Sequence, residues 1–183
     1  DGKDLKVTQY VDCYVKNPTN VAMIPNFDGV DQKICIYIPE NATKESAIVL
    51  YTNNSGWIMD AYEGRKTVDD GAEYVSNTDD DMIGAALSRG YVIVSFGARS
   101  RGDNVDENGA MVSHSPGTIT DTKACIRYLR NNKDLLSAGD PEKIVVTGTS
   151  GGGALSTIIA SSGNSADYFP SLAEIGAAGI DVA

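Results

Sequence analysis

The sequence predicts an α/β fold built on a mostly parallel, twisted sheet with helices on both faces. Three observations carry this expectation. First, Ala47-Ile48-Val49-Leu50-Tyr51, Tyr91-Val92-Ile93-Val94-Ser95-Phe96 and Lys143-Ile144-Val145-Val146-Thr147 are short runs with apolar centres, as in strands covered on both faces. Second, segments of helical periodicity separate these runs, and such alternation closes into a parallel sheet through crossover helices. Third, 42% of the 183 residues are hydrophobic and 22% charged, a globular composition in a chain long enough to bury one core.

Taken in order, Leu5 to Val11 alternates in places, and Lys33-Ile34-Cys35-Ile36-Tyr37-Ile38 is a β-branched run stopped by Pro39. The Ala47–Tyr51 strand runs into the polar, turn-rich segment Thr52-Asn53-Asn54-Ser55-Gly56-Trp57. A helix is expected from about Asp79 to Arg89, with Met82, Ile83, Ala86 and Leu87 as its apolar face and Gly90 as its stop. The run Asp79-Asp80-Asp81 suits the positive end of that helix better than a metal site, because it offers no spaced ligands. Thr118 and Asp121 resemble a capping box, opening a helix with Ile119, Thr122, Ile126 and Leu129 on one face. The turn Gly139-Asp140-Pro141 leads into the last strand, Gly148 to Gly153 turns the chain, and Ala154 to Ser161 reads as helix. Without repeats or low-complexity segments, one domain is the simplest organisation.

Charge and composition exclude several functions. The net charge of −10 argues against a nucleic-acid partner, which would need a basic patch. No apolar stretch approaches the ~20 residues that span a bilayer. Cys13, Cys35 and Cys125 lack CxxC spacing and read as buried structural thiols, and the single histidine, His114, makes a multi-ligand zinc site implausible. No metal or cofactor is therefore expected. The chain starts at Asp1 without a signal peptide. It is read as soluble, and either the mature part of an exported protein or an expressed fragment.

The chemistry concentrates in Gly148-Thr149-Ser150-Gly151-Gly152, a Gly-x-Ser-x-Gly pattern between a strand ending at Thr147 and a helix beginning near Ala154. An alcohol is a poor nucleophile unless positioned and deprotonated as it attacks. Glycines on both sides remove Cβ atoms where a tight strand-to-helix turn would clash, so the serine between them tolerates a strained backbone. That context defines the nucleophile elbow of the α/β-hydrolase fold, with Ser150 as the expected nucleophile. The Gly151 amide, at a helix start, is positioned to hold a developing oxyanion. A second donor is expected from the loop after the Ala47–Tyr51 strand, at the Ser55 or Gly56 amide, each donor contributing roughly 3 kcal/mol. A phosphate loop would want Gly-Lys-Ser/Thr, and no lysine is present; a dinucleotide fingerprint would follow the first strand. Trp57 and Tyr62 are either packing residues or rings that stack on an aromatic acyl group, and Arg99 and Arg101 are either surface arginines or contacts for an acidic substrate.

The motif lacks its partners. In this fold an acid and then a histidine follow the serine, yet the 33 residues after Ser150 contain no histidine. Asp167, Glu174 and Asp181 come too soon to sit at a later strand end, and His114 precedes the serine. Three readings stand: His114 as base through an unusual topology, a non-catalytic relative, or the N-terminal part of a longer polypeptide. The third is preferred, since the sequence stops after a helix-like piece and before strands that would carry acid and base.

The stretch Gly148 to Ser156, with Tyr128-Leu129-Arg130 upstream and Glu174-Ile175-Gly176-Ala177-Ala178 downstream, resembles the bacterial tannase and feruloyl-esterase-like α/β-hydrolases. Ile36-Tyr37-Ile38-Pro39, Asn53 to Trp57 and Gly97-Ala98-Arg99 fit the same picture, so the resemblance covers most of the chain. It implies a serine esterase for gallate or ferulate esters, with the acid, the base and a lid in a C-terminal companion segment beyond residue 183. Thr149 stands where the fungal tannase pattern has a cysteine, so that pattern is excluded. Other esterases or acyl-peptidases of the same fold, and a binding protein on a hydrolase scaffold, are the alternatives.

Overall fold

The computed structural model describes residues 5–17, 32–52, 72–74, 81–99, 108 and 116–180. Six strands form one sheet: β1 (Leu5–Cys13), β2 (Lys33–Pro39), β3 (Ala47–Thr52), β4 (Ala72–Tyr74), β5 (Val92–Phe96) and β6 (Asp140–Gly148). Their order is β4-β1-β2-β5-β3-β6. The helices are α1 (Met82–Ser88), α2 (Gly117–Asn131), α3 (Gly151–Ser162) and α4 (Phe169–Glu174).

Strand β3 pairs parallel with β5 and with β6, as strand–helix alternation requires. The N-terminal side of the sheet is antiparallel instead: β1 pairs with β2 and β4, and β2 with β5. Antiparallel neighbours need no crossover helix, and no helical periodicity precedes Ala47 in the sequence.

Helices do cover both faces. Ile34, Ile36, Ile48, Leu50, Val92 and Val94 point to one side, where they pack with Ala124, Cys125 and Leu129 of α2 and Leu172 of α4. Val7, Cys35, Tyr37 and Ile93 point to the other, against Leu87 of α1. The period-two split within β2 follows from pleating alone. Coverage falls off toward one edge: β5 is buried throughout, β3 alternates between buried and half-buried, and Val145 of β6 is 51% exposed. The even apolar character of all three runs in the sequence therefore hides their different depths in the sheet.

Two helix starts differ from expectation. The first helix is shorter than Asp79 to Arg89: Asp81 is its N-cap, and its carboxylate accepts from the Gly84 amide at 3.1 Å. The capping box at Thr118 and Asp121 does not form. Pro116 is the N-cap of α2, without a side-chain cap; the Thr118 hydroxyl donates to the Arg99 carbonyl at 2.6 Å. Asp121 is wholly buried and binds Arg99, a charged donor 22 residues away that outcompetes a backbone amide.

Beyond α3 the chain returns to its beginning. Lys16 and Asn17 amides donate to the Gly176 and Ile175 carbonyls at 3.1 Å each, next to a bridge between Val15 and Ala177. Cys35 and Cys125 are buried thiols, and Cys13 is half-buried with its S–H donated to the Val15 carbonyl at 3.1 Å. Among the described residues, no helix is long and apolar enough to cross a membrane.

Candidate active site

Between the last residue of β6 and the first of α3 lie only Thr149 and Ser150. So abrupt a reversal puts Ser150 at φ 56°, ψ −119°, and it is the sole non-glycine residue with positive φ among those described. A side chain held there costs on the order of 1–3 kcal/mol, and such strain clusters at functional sites. Serine is a preferred N-cap because its oxygen accepts from the first-turn amides. Ser150 occupies the N-cap of α3 yet makes no such bond, and it is exposed. Its hydroxyl is not spent on the helix.

The flanking glycines serve space, and the structure shows what fills it. A Cβ on Gly148 would lie 2.3 Å from both the carbonyl oxygen and Oγ1 of Thr52, and one on Gly152 would lie 2.2 Å from that carbonyl oxygen. Thr52 closes β3 and is the register partner of Gly148 across the β3–β6 ladder. Its buried hydroxyl lies 3.1 Å from the Thr147 carbonyl oxygen, 2.9 Å from that of Gly152 and 3.1 Å from Ser156 Oγ. Sequence reasoning placed Thr52 in a polar turn and missed this role. Its only local signal was a polar residue ending an apolar strand.

Gly151 is buried as the first residue of α3, where amides have no intrahelical acceptor. The next amide, of Gly152, is already donated to the Thr149 carbonyl at 3.0 Å. Ser55, Gly56 and Trp57 lie outside the described residues, as do Tyr62, Arg101, His114 and Asp181. Of the other acids after the serine, Asp167 accepts from the Ser165 hydroxyl at 2.9 Å, and Glu174 ends α4, which packs on α2.

Arg99 is not a surface arginine awaiting substrate. It is 9% exposed, and its guanidinium meets Asp121 at 2.8 Å. Gln32 donates to the same carboxylate at 2.9 Å, and the Arg99 amide does so at 2.8 Å. Burial opposes the guanidinium's charge, but the attraction and hydrogen bonds of Asp121 outweigh it and hold the pKa above its ordinary value. Tyr14 completes the cluster by donating to the Gly97 carbonyl at 2.6 Å, its phenol pushed well up by burial and then by Asp121. This network joins the end of β5 to α2 and to the N-terminal strands.

A mixed sheet in this order, helices on both faces and a strained serine between β6 and α3 define an α/β-hydrolase fold. The family model BD-FAE matches residues 34–174, and the chain belongs to that α/β-hydrolase family. Among solved structures, the tannase of Fusobacterium nucleatum is 32% identical with a TM-score of 0.74, over 98% of this chain and 38% of that one. The native tannin acyl hydrolase of Lactobacillus plantarum is 29% identical with a TM-score of 0.75, over 96% and 37%. A tannin acyl hydrolase in complex with ethyl gallate is 30% identical with a TM-score of 0.74, over 94% and 37%. No curated protein sequence matches the chain. The chain thus spans a little over a third of the length of the structures it resembles, 37–38%.

Proposed function

We propose that this protein is a serine carboxylic-ester hydrolase that works through an acyl-enzyme on Ser150, with aromatic-acid esters of the gallate or ferulate type as substrates. The observation that carries the reading is the backbone of Ser150: a non-glycine residue at φ 56° whose hydroxyl is withheld from capping the helix it begins. The substrate class is argued from the relatives, which include a tannin acyl hydrolase bound to ethyl gallate and one bound to 3,4-dihydroxybenzoate.

In this mechanism Ser150 Oγ attacks the ester carbonyl carbon as its proton passes to a base. The carbonyl oxygen becomes an oxyanion held by the Gly151 amide and by an amide of Ser55 or Gly56. Collapse expels the alcohol, which takes the proton from the base, and water then cleaves the acyl-enzyme by the same steps in reverse. We assign the base, its orienting acid and any lid to a C-terminal segment of the same polypeptide. The relatives' greater length and the half-covered β6 support that assignment.

Fluorophosphonate labelling followed by peptide mapping tests the nucleophile. The full polypeptide is expected to carry the label on Ser150, and Ser150→Ala to lose both label and ester turnover, the latter by about 10⁶-fold. A label on another residue, or none on a folded full-length preparation, would remove the serine mechanism. Turnover of methyl gallate and methyl ferulate above p-nitrophenyl acetate is expected; the reverse order would favour a general short-chain carboxylesterase.

A further inference from the structure

We propose that Thr52 is a positioning residue: its buried hydroxyl clamps the two sides of the turn that carries Ser150. The proposal rests on the reading of Ser150 as nucleophile and adds the group that holds it in place. The hydroxyl faces one carbonyl from each side of the turn, Thr147 from the end of β6 at 3.1 Å and Gly152 from the first turn of α3 at 2.9 Å. These two residues bracket the segment from Gly148 to Gly151, in which the strained Ser150 sits.

A hydroxyl has one proton and cannot serve both carbonyls at once. Ser156 supplies the second. Its hydroxyl lies 2.8 Å from the Gly152 carbonyl oxygen and 3.1 Å from Thr52 Oγ1. With Ser156 donating to Gly152 and Thr52 to Thr147, each carbonyl has its own proton. With Ser156 donating to Thr52 Oγ1 and Thr52 to Thr147, one chain of bonds runs from α3 through the end of β3 to the end of β6. Thr52 also occupies the volume that Gly148 and Gly152 leave empty: its carbonyl oxygen is nearest the missing Cβ of Gly152, and that oxygen and Oγ1 are equally near the missing Cβ of Gly148. One residue thus fills the space behind the turn and ties its ends together.

The shape and the hydroxyl can be separated, because valine keeps the first and serine the second. In the full-length polypeptide, Thr52→Val, Thr52→Ser and Ser156→Ala are compared by fluorophosphonate kinetics, by hydrogen exchange of peptides covering residues 147–153, and by Tm. Thr52→Val is expected to lower the inactivation rate constant about 10- to 100-fold, with the inhibitor's initial affinity changed less than about threefold and exchange in the turn accelerated. Thr52→Ser is expected to restore rate and exchange to within about threefold of the parent. Ser156→Ala is expected to accelerate exchange and slow labelling to a smaller degree.

A purely structural Thr52 would lower Tm while leaving the rate per folded molecule and the exchange of the turn unchanged. That outcome in Thr52→Val overturns the proposal. Should Thr52→Val fail to fold, Ser156→Ala decides, and parental rate and exchange there overturn it equally. If the parent's label falls on a residue other than Ser150, the nucleophile reading fails, while the exchange difference between valine and serine at position 52 still decides whether the hydroxyl clamps the turn.

Discussion

At position 148 one methyl group separates a turn that closes from one that cannot. Alanine there would set its Cβ 2.3 Å from a backbone oxygen of β3, which cannot rotate away as a side chain can. Gly148→Ala is expected to cost at least the ~1–3 kcal/mol of core overpacking and to slow labelling of Ser150. Urea unfolding and the labelling rate read the two effects. Gly163, the C-cap of α3, is the control: its φ is +47°, but a Cβ there would meet nothing within 4 Å. Gly163→Ala is expected to cost about 1–3 kcal/mol of backbone strain, because its ψ of −125° places it in the same region as Ser150, with labelling unchanged. Ser150 and its glycines were legible because the motif is local, five consecutive residues from the end of β6 to the first turn of α3. Thr52 was not, because it reaches the turn from 95 to 100 positions away, and its one local signal, a polar residue ending an apolar strand, does not report that contact. Tyr14 adds a pH effect of definite sign. Its buried phenol titrates well above the ~10 of an unfolded tyrosine. The folded state then holds its proton longer, so this contribution is fully present below pH ~10 and is lost as pH rises toward the folded value. The loss of stability above pH ~10 is expected to be shallower in Tyr14→Phe, measured by urea unfolding between pH 8 and 11.

At the scale of elements, α2 is held by an ion pair where the sequence suggested a cap. Both readings use the same residue type at the same place, and only the distant Arg99 distinguishes them. The consequences differ in size. Loss of an exposed capping residue costs about 1 kcal/mol, whereas removing one member of a buried pair leaves an uncompensated charge and costs about 3–5 kcal/mol. The pair here is 11% and 0% exposed by side chain, so the larger figure applies. Asp121→Asn is expected to destabilise the protein by about 3 kcal/mol or more, and Arg99→Met with Asp121→Leu by clearly less than the sum of the single changes. Chemical denaturation of the two single variants and the double variant measures this; additivity would argue that the two side chains act independently. The element pattern itself was well marked, since all three apolar runs became strands. Their unequal burial was not, because depth in a sheet is set by strand order, which no single run encodes.

At the scale of the whole molecule, β6 is one edge of the described sheet and is covered on one face only. Along β6 the side chains of Lys143, Val145 and Thr147 alternate with those of Ile144 and Val146, which join the core beside α2. The opposite face is the α1 side of the sheet, but α1 packs on β5 and β2 and leaves Val145 51% exposed. A β-branched apolar residue exposed in a strand is unremarkable singly. It gains meaning from the relatives, of whose length this chain spans 37–38%, and from the assignment of the base and acid to a later segment. If that segment packs beside β6, Val145 is solvent-facing in the 183-residue chain and covered in the full polypeptide. Val145→Lys then has two different costs. In the 183-residue chain it is a surface change, expected to stay within about 0.5 kcal/mol. In the full polypeptide it buries an unpaired ammonium, expected to cost about 2 kcal/mol or more. Equal, small effects in both, read by urea unfolding under the same conditions, would show that the added segment lies elsewhere, and the proposed source of the base would then have to reach Ser150 from another side of the sheet.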